Sequence, residues 1–238
     1  MRFLITGGSG GIGFALTQSL LNQGHYVCAT FLSKSQSDLI SDPKLTWVRV
    51  DLQDVDSLKI MITNLGNFDG LIHCAGVAQT ERISSITTSK VREMMLVNVE
   101  SAVAAIVALL PGMIQRNFGR IILLGSIVGR EGGIGLAGYA ASKSALDGLV
   151  RSIHKEIILV KRDFPNLNLT INLIRPGYVT TPMTSNISEK VRAKIIEKSS
   201  LGRFLNPEEI ADFIVFLLGP SSEYISGRLL DIDGGQEL

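Results

Sequence analysis

Tyr139 and Lys143 stand four residues apart in "GYAASKSAL", residues 138–146. On a helix that spacing puts a phenol and an ammonium on one face, where both can work on one object. Proton transfer to or from an oxygen is the chemistry such a pair suits. A phenol ionises at about pH 10, and a cation several ångströms away favours the phenolate and lowers that value. Carbonyl reduction needs such a donor, because hydride reaching carbon must be matched by a proton reaching oxygen, and water is a poor donor inside a closed site. Alone, Tyr-x3-Lys also describes an ordinary amphipathic helix face.

A second motif says what could stand beside that pair. "TGGSGGIG", Thr6 to Gly13, follows an apolar run and opens a helical stretch. Gly7, Gly11 and Gly13 let the backbone turn sharply, and free N–H groups at the positive helix end can meet a pyrophosphate. The spacing is Gly-x3-Gly-x-Gly rather than Gly-x-Gly-x2-Gly, but the strand–loop–helix setting is present. Downstream, where a carboxylate would accept from a ribose 2′-hydroxyl, the chain reads "ATFLSKS" with no acid before Asp38. Thr30, Ser33 and Lys34 offer instead two hydroxyls and an ammonium suited to a 2′-phosphate. Asp51 and Leu52 fall where an adenine would lie, Asp51 serving as its acceptor or as a helix cap.

These motifs must be positioned by the surrounding elements. The apolar, β-branched runs "RFLIT", "YVCATFL", "LTWVRVDL", "GLIHCAG", "RIILLGS", "LTINLIRPG" and "RLLDIDGG" predict seven strands. Helical stretches are expected at 12–23, 54–65, 88–97, 99–117, 138–160, 185–199 and 207–218, the last opened by Pro207-Glu208-Glu209. The alternation predicts an α/β fold, one domain over 1–238, with a doubly wound parallel sheet covered on both faces. Ser126 then closes the fifth strand, at the carboxyl edge where ligands bind in such sheets. The glycines of "IVGREGGIGLAG" let the chain loop out before the Tyr139 helix. Asn98 falls at a break between two helical segments, and Pro111 should kink or end the second. Cys28 and Cys74 would sit about 9–10 Å apart across the first strand, too far for a disulfide.

Taken together, "TGGSGGIG", "CAG" at 74–76, Asn98, Ser126, "YAASK" and "RPGYVTTPM" resemble the short-chain dehydrogenase/reductase family in its one-domain Rossmann form, from Met1 to Leu238. The tail "GRFLNPEEIADFIVFLLGPSSEYISGRLLDIDGG" is similar to that of bacterial 3-oxoacyl-acyl carrier protein reductases and their acetoacetyl-CoA reductase relatives. The resemblance implies that Tyr139 donates the proton, Lys143 also bonds the nicotinamide ribose, Ser126 holds the substrate oxygen, and Asn98 holds a water for proton relay to Lys143. It implies a cofactor site that also includes Ser9, Ile12, Cys74, Ala75 and Gly76. Pro176 and Gly177 turn the backbone toward the nicotinamide, and Val179 and Thr181 contact its carboxamide. Where the family usually has Asn-Ala-Gly, this chain has Cys74-Ala75-Gly76, a change that bears on local stiffness.

The implied activity is NADPH-dependent reduction of a 3-oxoacyl thioester carried on acyl carrier protein or CoA, with NAD the less favoured cofactor. Two alternatives are an NAD(P)-linked oxidation of another secondary alcohol and a dinucleotide-binding sensor without catalysis. A homotetramer is implied, built on the apolar stretch 99–110 and on a helix face carrying Ala140, Ala141 and Ala145. An acidic carrier would call for a basic rim, for which Arg116, Arg120, Lys161 and Arg162 are candidates. The segment after Met183, polar and without a large apolar face, reads as a substrate lid or as an ordinary surface helix.

Composition bounds the rest. A net charge of +1 with 45 % hydrophobic residues disfavours disorder and an electrostatic hold on nucleic acid or membrane. No stretch approaches the ~20 apolar residues of a bilayer span, and the start is too short for a signal peptide, so the cytoplasm is the expected address. His25, His73 and His154 lie outside the motifs and read as structural, and no metal site is expected.

Overall fold

The computed structural model describes residues 1–33 and 39–236. Seven strands, β1 (Arg2–Thr6), β2 (Tyr26–Phe31), β3 (Leu45–Arg49), β4 (Gly70–His73), β5 (Phe118–Leu124), β6 (Asn168–Pro176) and β7 (Arg228–Ile232), form one sheet in the order β3-β2-β1-β4-β5-β6-β7. Every pairing is parallel. The inner strands β1, β2, β4, β5 and β6 are buried almost end to end because helices cover both faces and leave no solvated side to alternate with. After β3 the chain crosses back to place β4 on the other side of β1, and this reversal opens a crevice at the carboxyl ends of β1 and β4.

Eight α-helices fill the connections: α1 (Gly11–Asn22), α2 (Val55–Leu65), α3 (Thr88–Met95), α4 (Ser101–Gln115), α5 (Ile127–Glu131), α6 (Ala137–Val160), α7 (Glu189–Glu197) and α8 (Pro207–Leu218). On one face α1 and α8 pack together over Phe3, Ile5, Ile72, Ile122 and Ile174. On the other, α2, α4 and α6 cover Leu4, Leu71, Ile121 and Leu123. Strand neighbours pointing to opposite faces separate the two sets, and each buried side chain stabilises the fold by roughly 1.5–3 kcal/mol. α8 starts as its sequence dictates, with Pro207 in the first turn and Asn206 and Glu209 satisfying each other's backbone N–H groups.

Three expectations change. The break at Asn98 is a π-helical turn, Leu96–Glu100, that joins α3 to α4 without interruption. Pro111 does not end α4, which continues to Gln115. It sits on an exposed side, so the carbonyl it leaves unmatched can be solvated. The glycine-rich connection after Ser126 is not all loop, because residues 127–131 form α5 before the chain turns through Gly132, at φ 81°. The continuous path Thr88–Gln115 is also long and apolar enough, by length and composition alone, to cross a bilayer; half of its apolar window is buried inside the fold. Both cysteines are free thiols.

His73 ends β4 in full burial, its Nδ1 2.7 Å from Thr6 Oγ1 and its Nε2 3.5 Å from Ser101 Oγ. Burial, helped by the Lys143 charge, pushes its pKa down to about 3 from 6.5. Between those values the unfolded chain binds a proton that the folded chain refuses. The stability this group confers is therefore complete above about pH 6.5 and drains away as pH falls toward 3, by at most about 5 kcal/mol. Urea unfolding at about pH 7 and about pH 4 should show a steeper acid loss for the native chain than for His73→Gln, which has no such proton to take.

Candidate active site

A cleft of about 700 Å³ opens along the carboxyl edge of the sheet. One end is built by the turn between β1 and α1. Gly7 takes φ +67°, and a Cβ there would lie 2.7 Å from Ala75 Cα, so the turn can nest against the end of β4 only without a side chain. Gly11 is equally confined, with a would-be Cβ 2.5 Å from Thr181 Cγ2. α1 begins after Gly10 with no side-chain cap, so the N–H groups of its first turn face the cleft as an anion cradle. Thr30 Oγ1 accepts the Gly7 N–H at 3.0 Å from its buried place on β2. Its structural part is therefore to brace the glycine turn.

The other end carries the hydroxyl of Ser126, the phenol of Tyr139 and the ammonium of Lys143. Ser126 caps α5, accepting the Val128 N–H at 3.2 Å, and faces Tyr139 on the first turn of α6. Lys143, only 4 % exposed, donates from Nζ to the Leu124 carbonyl at 2.7 Å, and Nζ lies 5.8 Å from the centre of the Tyr139 ring. Phenol and ammonium share one wall, as their spacing requires. Their electrostatics correct the expectation that the ammonium lowers the phenol. Burial pushes Tyr139 up to about 12, only partly offset by its Ser126 hydrogen bond, and pushes Lys143 down to about 8. Desolvation of the charged form is the largest cause of both shifts, and it keeps Tyr139 a neutral phenol at neutral pH.

Asn98 stands behind this wall rather than on it. Its Oδ1 accepts the Val77 N–H at 2.8 Å, and its Nδ2 donates to the Val77 carbonyl at 3.0 Å and to Ser142 Oγ at 2.9 Å. A Cβ at Gly76 would meet Lys143 Nζ at 3.2 Å and Asn98 Oδ1 at 3.3 Å, which places both groups immediately behind that glycine. Asn98 thus ties the chain after β4 to the π turn. Cys74 itself lines the cleft, with burial pushing its thiol up to about 12.

The cleft gathers Gly7, Ser9, Gly11, Ile12, Gly13, Thr30, Ser33, Asp51, Leu52, Cys74, Ala75, Gly76, Ser126, Tyr139, Lys143, Pro176, Gly177, Val179 and Thr181. Lys34 and Asp38 lie outside the described residues. Asp51 accepts the Gln53 N–H at 2.9 Å, but the cap of α2 is Asp54, whose carboxylate accepts the Ser57 N–H at 3.0 Å. None of the four candidates for a basic rim lines the cleft. Arg116 donates to the Phe68 carbonyl before β4, and Arg120 is buried against Asn168 at the start of β6. Lys161 and Arg162 follow α6, where Lys161 shares a small cavity with Asn168. All four belong to the amino edge of the sheet, because helix ends that return the chain to new strands lie opposite the ligand edge.

Several lining residues were missed. Tyr178 was passed over inside "RPGYVTTPM", and Glu93 carried no motif. Met183, Ile187 and Val191 line the cleft and Ile195 is buried behind them, so the segment has an apolar face after all. Their four-residue spacing was the available signal.

Comparisons with known proteins agree with this geometry. The family profile described as "Enoyl-(Acyl carrier protein) reductase" matches residues 7–237. Carbonyl reductase family member 4 of Xenopus laevis is 34 % identical, with 98 % of this chain and 97 % of that protein covered. The 3-oxoacyl-[acyl-carrier-protein] reductase FabG of Salmonella typhimurium is 30 % identical, covering 98 % and 95 %. Among solved structures, a 3-oxoacyl-[acyl-carrier protein] reductase from Brucella melitensis superposes with a TM-score of 0.89 at 24 % identity, covering 100 % of this chain and 91 % of the other. BdcA in complex with NADPH gives 0.86 at 27 % identity, covering 99 % and 93 %.

Gly7→Ala should weaken dinucleotide binding by roughly tenfold or more, since the new methyl strains a left-handed residue and collides with Ala75 backbone. Fluorescence titration with NADPH measures this, and circular dichroism checks that the sheet persists.

Proposed function

This chain belongs to the short-chain dehydrogenase/reductase family and is an oxidoreductase built around a dinucleotide cleft; from that premise we propose that it uses NADPH to reduce a carbonyl, foremost the 3-oxo group of an acyl thioester, to the 3-hydroxy form. The observation carrying this reading is that a buried ammonium and a neutral phenol share one wall of a cleft that also holds the glycine cradle.

The cradle fits a dinucleotide: Gly7 and Gly11 leave no room for Cβ atoms, and the uncapped start of α1 would hold the pyrophosphate. Ser33 and Lys34, with no carboxylate at Phe31, Leu32 or Ser33, favour the 2′-phosphate form. The dinucleotide, when bound, supplies the hydride for the carbonyl carbon. Ser126 positions the carbonyl oxygen by hydrogen bonding, and Tyr139 gives that oxygen its proton. A phenol held protonated at neutrality is suited to donate, and the Lys143 charge stabilises the phenolate as it forms. Lys143, with a pKa near 8, can then return a proton to Tyr139 at physiological pH, with water held near Asn98 as the relay.

A homotetramer in the cytoplasm completes the proposal. Val103 and Val107 leave α4 with an exposed apolar stripe that a second copy would cover.

Mixing the protein with NADPH and a short 3-oxoacyl thioester should oxidise the cofactor, followed by absorbance; no turnover would remove this substrate class. Tyr139→Phe should lower kcat by about 10²–10⁴-fold while NADPH still binds. The reduction rate should hold level below about pH 8 and fall above it as Lys143 loses its proton, which a pH–rate profile of kcat tests.

A further inference from the structure

Glu93 presents a carboxylate to the cleft from α3, one turn before Val97 on the same wall. One oxygen accepts from Gln79 Nε2 at 2.8 Å, and among the described residues no cation lies within ion-pairing distance of the other. Lys90, one turn earlier, is taken by Glu81. Apart from the Gln79 bond, no ion pair among the described residues holds this carboxylate on its mostly apolar wall. α3 rests against the start of α6, where a Cβ at Gly138 would touch Met94 and Val91, so Glu93 belongs to the Tyr139 end of the cleft. Among the described residues lining that end, the other charge is the Lys143 ammonium.

We propose that Glu93 sets the charge specificity of the substrate pocket: it cancels the attraction of Lys143 for anions, so the site takes neutral 3-oxo esters and thioesters and rejects the free 3-oxo acids of the same skeleton. The argument rests on the carbonyl-reductase reading above. Two opposite unit charges on the walls of one partly desolvated cleft leave a neutral ligand nearly indifferent. An anionic ligand feels both, and removing the negative one leaves an uncompensated attraction of about tenfold in affinity at low salt. The free amide of Gln79 can hold a glutamine at position 93 as it holds the glutamate, so the wall keeps its shape when the charge goes.

The test compares acetoacetate with its methyl ester as NADPH-dependent substrates of the native enzyme, Glu93→Gln and the charge-retaining Glu93→Asp. The preference for ester over acid in kcat/KM should fall about tenfold in Glu93→Gln, through the KM of the acid, and stay high in Glu93→Asp; added salt should raise the lowered Glu93→Gln preference back toward the native value. An unchanged preference in Glu93→Gln overturns the proposal. If the native enzyme reduces neither compound, the proposed function fails instead. The charge rule is then read from binding of acetoacetate to the NADP-loaded native protein and to Glu93→Gln by calorimetry, where equal dissociation constants overturn it.

Discussion

Lys143 carries an ammonium into a place where almost none of it meets water, and the hydrogen bond from Nζ to the Leu124 carbonyl makes that burial tolerable. A charge so placed has to be held by the whole carboxyl edge of the sheet. β5 offers the carbonyl, Gly76 leaves the space, and α6 brings the side chain in from the far side. The neighbours respond to it: it helps keep His73 neutral, and its own affinity for a proton drops into the range where a group can trade protons near neutrality. The phenol one turn away resists ionisation because its surroundings are dry. The chemistry of the cleft is thus decided more by exclusion of water than by attraction between the two side chains.

Much of this was legible in the chain itself. Seven aliphatic runs separated by helix-length stretches specify the sheet, and the glycine spacing before α1 specifies the anion cradle. In both cases local pattern and tertiary demand coincide. The four-residue step from Tyr139 to Lys143 is likewise geometry that one helix turn guarantees. What pattern could not supply were quantities that depend on several elements at once. The direction of the Tyr139 shift follows from how much water the folded chain takes from the phenol. The position of Arg120 follows from which edge of the sheet its strand begins on. Glu93 joins the cleft only because α3 leans on α6.

Asn98 likewise joins several elements at once, its side-chain amide bonded to Val77 and to Ser142. The chain after β4 lacks the usual asparagine, and the amide two elements later does the clamping. Stiffness at Gly76 is therefore a non-local property, shared between the end of a strand and a turn of helix more than twenty residues away.

That turn, Leu96–Glu100, winds with the wider π pitch. Inserting one residue into a helix rotates everything on one side of it by roughly 100° relative to the other. α3 and α4 are consequently out of phase: the first can aim Glu93 into the cleft while the second aims Val103 and Val107 outward. A regular helix over the same span would have to sacrifice one of these orientations to keep the other, so the single surplus residue lets one continuous rod serve two unrelated surfaces.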